Sequence, residues 1–149
     1  MLGWKTRPVS FLLPEERERV RRAIEAAERA SSGEIRVVIS RRAGRDALAT
    51  ARRVFRRLRM DETRDRNAVL ILVAIKSHRF AILGDEGIHR FVGQEGWDRA
   101  RDLLAERFHV GDFAGGLVAA VEDVGTVLKA HFPCCEGDRN ELSDEVLDE

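Results

Sequence analysis

Residues 66–88 read RNAVLILVAIKSHRFAILGDEGI and predict a β-hairpin at the centre of the fold. Eight consecutive apolar residues, 68–75, are too few to span a bilayer, and such a run is typical of a strand buried on both faces. A second apolar run, 80–83, follows a short polar interruption and ends at Gly84, so we expect the two runs to pair antiparallel. This pairing returns Asp85 and Glu86 to the sheet end at which Asn67 lies.

A parallel βαβ unit leads into this hairpin. Residues 35–39 predict a strand, residues 46–59 an amphipathic helix, and residues 68–75 the next strand, so a right-handed crossover should make the two strands parallel. Parallel strands begin at the same end of a sheet, and the antiparallel third strand finishes there. Glu34, the loop 61–67 and the pair Asp85 and Glu86 should therefore converge.

Three further helices complete the predicted fold. Pro14 and the acids after it favour a helix that runs to about Ala30, since proline and carboxylates suit a helix N-terminus. Apolar stripes predict a helix over about 94–109 and a last helix from a cap at Asp112 to about residue 130. Helices on both faces of a small mixed sheet would give an α/β fold, a three-layer α/β/α sandwich.

Composition and charge limit the function classes. The 149 residues are 44% hydrophobic, which fits one domain, and no apolar segment resembles a signal peptide or a membrane span, so we expect a cytoplasmic protein. Residues 136–149 contain seven acids and one arginine and carry −6, so the rest of this formally neutral chain carries +6. We therefore predict a domain over residues 1–133 and a mobile acidic tail over residues 134–149, which contributes little to the core.

Four motifs together resemble the TPM domain family, over about residues 12–133. They read GEIRV at 33–37, RNAVLI at 66–71, GDEGI at 84–88 and GDFAGGL at 111–117. The chain continues into HFP at 131–133 and NEL at 140–142, as in the soluble, single-domain bacterial subtype. The resemblance implies an α/β/α fold, a divalent-cation site among acidic loops, and a phosphatase activity.

The acids of the converging loops are the candidate metal ligands. Calcium takes oxygen ligands, which carboxylates and loop carbonyls supply, and a tight turn between Gly84 and Gly87 would expose carbonyl groups. The predicted calcium ligands are Glu34, Asp61, Asp65, Asp85 and Glu86. The alternative is that Arg64 and Arg66 neutralise these acids in ordinary surface ion pairs.

Two other functions stay open from the residues alone. Arg64 and Arg66 beside a bound cation would orient a phosphate, which makes a metal-dependent phosphatase the first alternative. The second alternative is a scaffold that recruits a protein partner through an arginine-rich helix face, formed by Arg52, Arg53, Arg56 and Arg57. The pI near 6.9 argues against nucleic acid as the partner, and a solvated helix face visited by the acidic tail explains the same pattern.

Overall fold

The computed structural model describes residues 11–134 and 145–149, and there the chain forms a four-stranded sheet with four α-helices. The elements in chain order are α1 (Pro14–Arg29), β1 (Glu34–Ser40), α2 (Ala47–Arg57), a 3-10 turn (Met60–Glu62), β2 (Ala68–Ala74), β3 (Arg79–Gly84), α3 (Glu86–His109), α4 (Phe113–His131) and β4 (Val146–Asp148).

The sheet has the strand order β3-β2-β1-β4. β1 pairs parallel with β2, and β2 pairs antiparallel with β3, as the βαβ unit and the hairpin predict. Every residue of β2 is buried, because helices cover both faces of this central strand. Within residues 11–134 and 145–149, no helix is long and apolar enough to cross a membrane.

Two buried clusters lie on opposite faces of the sheet. Val37 and Ile71 belong to the larger cluster, which α1, α3 and α4 complete. Val38 and Leu70 belong to the smaller cluster, which α2 and Met60 complete. This alternation along β1 and β2 confirms the predicted three-layer α/β/α sandwich.

The helix predicted from about residue 94 begins earlier, at Glu86. Gly93 interrupts α3 with non-helical angles (φ 67, ψ 174), so the helix consists of a short first part and a longer second part. The expected tight loop after Gly84 is therefore wrong, since Asp85 is the N-cap residue of α3. Two glycines in eight residues hide this first part from a search for helical periodicity.

The expectation of a mobile tail is wrong for residues 145–149. Val146–Asp148 pair parallel with Val37–Ile39 as strand β4, and Val146 is only 7% exposed. A three-residue strand is too short to produce a periodic pattern, and the acids around it dominate the composition. The tail residues 135–144 lie outside the described part of the chain, and the domain boundary at residue 133 stays a prediction.

Candidate cation site at the pole of the sheet

The three predicted segments meet at one end of the sheet, which we call the sheet pole. Glu34 lies opposite Ala68 in the parallel register of β1 and β2. The backbone N–H of Asp85 donates to the carbonyl oxygen of Ala68 at 3.0 Å. The predicted convergence of Glu34, the loop 61–67 and Asp85 is therefore confirmed.

Asp85 has a buried carboxylate that makes two kinds of interaction at the sheet pole. Its Oδ1 accepts a hydrogen bond from the backbone N–H of Glu86 at 2.8 Å and so caps α3. Arg66 holds the same carboxylate from the other side, with Nε 2.6 Å from Oδ2 and Nη2 2.9 Å from Oδ1. Asp85 is 8% exposed, so this bidentate pair is largely shielded from water on the carboxylate side.

One guanidinium pairs with two of the predicted ligands, and the charge of a third also acts on it. Nη1 of Arg66 lies 3.4 Å from Oε1 of Glu86. The pKa of Arg66 is raised, first by its hydrogen bonds with Asp85 and the charge of that carboxylate, and further by the charges of Glu86 and Asp61. A positive charge is therefore already held where Asp85, Glu86 and Asp61 converge.

Two residues at and before the loop 61–67 have left-handed backbone angles. Arg59 has φ 59 and Arg66 has φ 51, values that residues with a side chain seldom adopt. Such strain persists only where surrounding contacts fix it, and it is frequent at binding sites. The loop also packs closely on α3, since a Cβ added at Gly87 would lie 2.2 Å from the carbonyl oxygen of Asp65.

Asp65 lies in a separate polar cluster of the pole. Its Oδ2 accepts a hydrogen bond from the Ser32 hydroxyl at 2.9 Å and lies 3.4 Å from Nη2 of Arg64. The side-chain amide of Asn67 donates to the same hydroxyl oxygen at 3.1 Å. Asn67 is 1% exposed, and its Oδ1 has no hydrogen-bond partner among residues 11–134 and 145–149.

Glu34 is buried on β1, at 1% exposure, and interacts with Arg36. Burial lowers the pKa of the Arg36 guanidinium, whereas the charges of Glu28 and Glu34 raise it. The five predicted ligands are thus divided among the Arg66 group, the Asp65 cluster and this buried pair. Within the described residues, no group of three or more His, Cys, Asp and Glu side chains is placed so as to hold a metal ion.

The sheet pole opens into a pocket of about 210 Å³ that the sequence did not indicate. The pocket is lined by Asp61 and Asp85, together with Arg52 and Arg56 of α2. Their spacing of four residues places them on one side of the helix, but only the packing of α2 on β3 brings that side to the pole.

The other two arginines of the predicted helix face lie near the residues after β4. Arg57 forms an ion pair with Glu149, and Ser40 donates its hydroxyl to the same carboxylate at 3.0 Å. Burial raises the pKa of Glu149, but hydrogen bonds from Arg57 and Ser40 and the charges of Arg57 and Arg53 outweigh it, so the pKa is lowered overall. The expected contact between the acidic tail and the arginine face is therefore present at this residue.

Comparisons with known proteins agree with the architecture. A family model described as the TPM domain matches residues 6–127. The structure resembles the BA42 protein from the psychrophilic bacterium Bizionia argentinensis, with a TM-score of 0.88 and 36% identity, over 96% of this chain and 99% of that one. No curated protein matches the chain.

Two more distant structures share the fold alone. One is the N-terminal domain of a P. gingivalis protein, with a TM-score of 0.70 and 20% identity over 87% of this chain and 85% of that one. The other is the N-terminal domain of the cg2496 protein from Corynebacterium glutamicum, with a TM-score of 0.63 and 17% identity over 78% and 74%.

Proposed function

Because this chain belongs to the TPM domain family, we propose that its sheet pole binds a divalent cation, calcium in the first instance, through Asp85, Glu86 and Asp61. The observation that carries the proposal is the single Arg66 guanidinium that pairs with Asp85 and Glu86 and whose pKa is also raised by the charge of Asp61. In this arrangement Arg66 is an internal counter-ion, and the external cation replaces it.

The donor set suits a hard cation. Carboxylate oxygens are the ligands that calcium prefers. The carbonyl oxygens of Asp65 and Arg66 lie against Gly87, the residue after Glu86. The buried Oδ1 of Asn67, without a hydrogen-bond partner among the described residues, is a further oxygen at the pole. Within the described residues no three such side chains are grouped so as to hold a metal ion, so cation binding requires the carboxylates to move closer together once Arg66 leaves.

Displacement of Arg66 is physically reasonable. Its side chain is 43% exposed, so the guanidinium regains water when it leaves, whereas Asp85 stays fixed as the cap of α3. A divalent ion also neutralises more of the charge of three carboxylates than a single guanidinium does. Cation binding and Arg66 pairing therefore exclude each other at Asp85.

Calorimetric titration with calcium tests the proposal. The wild type should bind saturably, and Asp85→Asn should bind at least tenfold more weakly, since an amide is a poorer ligand than a carboxylate. Asparagine is as good an N-cap as aspartate, so this variant retains the start of α3. The matched control is Asp46→Asn, at the N-cap of α2, which should bind calcium as the wild type does.

A metal-dependent phosphatase is the second candidate function, and the pocket favours it. Arg52 and Arg56 line the same pocket as Asp61 and Asp85, so a phosphate group beside the cation would find two guanidinium groups for its oxygens. Turnover of a small phosphomonoester should then require calcium or magnesium and fall at least tenfold in Arg52→Gln and Arg56→Gln. Arg53→Gln, on the same helix, is the control. Activity that survives chelation would refute this candidate.

A cytoplasmic location is part of the same proposal. It rests on the sequence expectation and is tested by fractionation of cells that express the protein at its native level. Recovery with the soluble cytoplasmic fraction supports it, and recovery outside the cytoplasm contradicts it.

A further inference from the structure

We propose that the edge of β1 is a peptide-docking groove for a partner protein, and that residues 146–149 close this groove in cis. The partner would present an extended segment of two apolar residues followed by two acidic ones. This proposal does not depend on cation binding, since it concerns the opposite edge of the sheet from β3. It gives the scaffold alternative a specific surface and a specific ligand.

Backbone pairing supplies the first part of the groove. Val146–Asp148 lie opposite Val37–Ile39, and the N–H of Glu149 donates to the carbonyl oxygen of Ile39 at 2.9 Å. The N–H of Arg41 donates to the carbonyl oxygen of Glu149 at 3.3 Å. Addition of a strand to a sheet edge is a common mode of peptide recognition, in which the backbone gives affinity.

The two apolar side chains of the docked segment enter opposite layers. Val146 belongs to the same buried cluster as Ile24 and Val37. Leu147 packs against the cluster on the other face, which contains Val38. An occupant of the groove therefore needs two consecutive apolar residues, because successive side chains of a strand point to opposite faces.

The two acids are recognised by groups from three separate elements. Arg17 of α1 donates to the carbonyl oxygen of Val146 at 3.0 Å and to Oδ1 of Asp148 at 3.0 Å. Ser40 of β1 and Arg57 of α2 bind the carboxylate of Glu149. The bond to the backbone of Val146 adds affinity, and the contacts with the two carboxylates give specificity for acidic residues.

The groove has room for a longer occupant. A pocket of about 320 Å³ lies beside the first residues of the docked segment, Glu145 and Val146. Pro14, Arg17, Glu18 and Arg21 of α1 also line it. A partner segment would thus find a further surface with charges of both signs beside the position of Val146.

The segment that closes the groove belongs to the same chain, so its pairing with β1 is intramolecular. A partner must therefore bind more tightly than this cis segment, or the cis segment must be weakened, before the groove opens.

The test uses the full-length chain and a fluorescent synthetic peptide with the sequence of residues 145–149, EVLDE. Asp148→Lys/Glu149→Lys places positive charges beside Arg17 and Arg57 and so releases the cis segment. Fluorescence anisotropy should show that this variant binds the peptide at least tenfold more tightly than the wild type. Adding Arg17→Glu should remove the binding, and adding Arg22→Glu, an exposed position on the same helix, should not.

A second measurement covers the case in which the double variant does not fold. Amide hydrogen exchange of the wild type should show the N–H of Glu149 exchanging at least 100-fold faster than those of Val69–Val73, because the segment opens locally. Equal protection, or no peptide binding to a folded released variant, would overturn the proposal. Dimers of the wild type at micromolar concentration that the peptide dissociates would identify a second copy as the occupant and also overturn it.

Discussion

Arg66 donates two hydrogen bonds, of 2.6 and 2.9 Å, to the carboxylate of Asp85, which lies 19 residues later in the chain. The same carboxylate caps α3, so the pair joins the loop 61–67 to the first turn of the helix. The negative charges of Glu86 and Asp61 also stabilise the charged form of this guanidinium and raise its pKa. The pair thus links the stability of the sheet pole to its proposed cation binding.

Removing the guanidinium should strengthen cation binding. In Arg66→Gln the carboxylates lose their internal competitor, and we expect the calcium affinity to rise roughly fivefold or more. The melting temperature in chelator should fall, because Asp85 loses its charged partner, and calcium should restore it. Arg64→Gln, whose side chain is 70% exposed, is the control and should change neither value appreciably. An Arg66→Gln affinity equal to that of the wild type would show that Arg66 does not compete with the cation.

A methyl group at Gly87 should disrupt the sheet pole. The added Cβ would lie 2.2 Å from the carbonyl oxygen of Asp65 and 2.5 Å from that of Arg66, and backbone atoms cannot move aside cheaply. We expect Gly87→Ala to lower the free energy of unfolding by about 1–3 kcal/mol, measured by urea denaturation. Gly44→Ala is the control, because its Cβ would meet nothing within 4 Å. Equal stability of the two variants would contradict the close packing of α3 on the loop.

Acidification should loosen β4 before the rest of the sheet. The folded-state pKa of Glu149 is lowered from 4.5, so its contribution to docking is fully present above about that pH and is lost as the pH falls through the lowered value. Amide exchange or NMR shifts of Leu147 measured across this window should report the release. In Glu149→Gln the pH dependence of these signals should largely disappear. A transition that persists unchanged in Glu149→Gln would assign the effect to another group.

Neutralising the pocket arginines separates the two candidate functions. Arg52→Gln/Arg56→Gln should leave calcium binding within about threefold of the wild type, since the ligands are carboxylates. The same variant should lose affinity for inorganic phosphate in the presence of calcium, measured by calorimetry. Unchanged phosphate binding would remove the support that the pocket gives to a phosphatase.

The sequence contains clear patterns for the hairpin and the crossover helix. The apolar run before Lys76 and the stop at Gly84 specify the hairpin, and the helical stripe of α2 specifies the crossover. Together these elements predict the meeting of Glu34, Asp65 and Asp85, since strand direction alone decides which loops share a sheet end. No side-chain detail is needed for that inference.

The pairing inside the site depends on details that the sequence does not carry. The bidentate contact between Asp85 and Arg66 forms where α3 packs on the loop, and this packing is not visible in the sequence. The start of α3 is hidden by Gly87 and Gly93, which weaken the helical pattern. β4 is hidden by its length, because its stability comes from β1 and Arg17 rather than from its own residues.

A calcium titration of the wild type, monitored by its backbone NMR signals, tests cation binding at the sheet pole directly. We expect saturable shifts concentrated at Asp61, Arg66, Asp85 and Glu86, together with loss of the hydrogen-bonded signal of the Arg66 Nε–H as the guanidinium leaves Asp85. Shifts confined to other parts of the chain, or none at a calcium concentration of tens of millimolar, would contradict cation binding at the sheet pole.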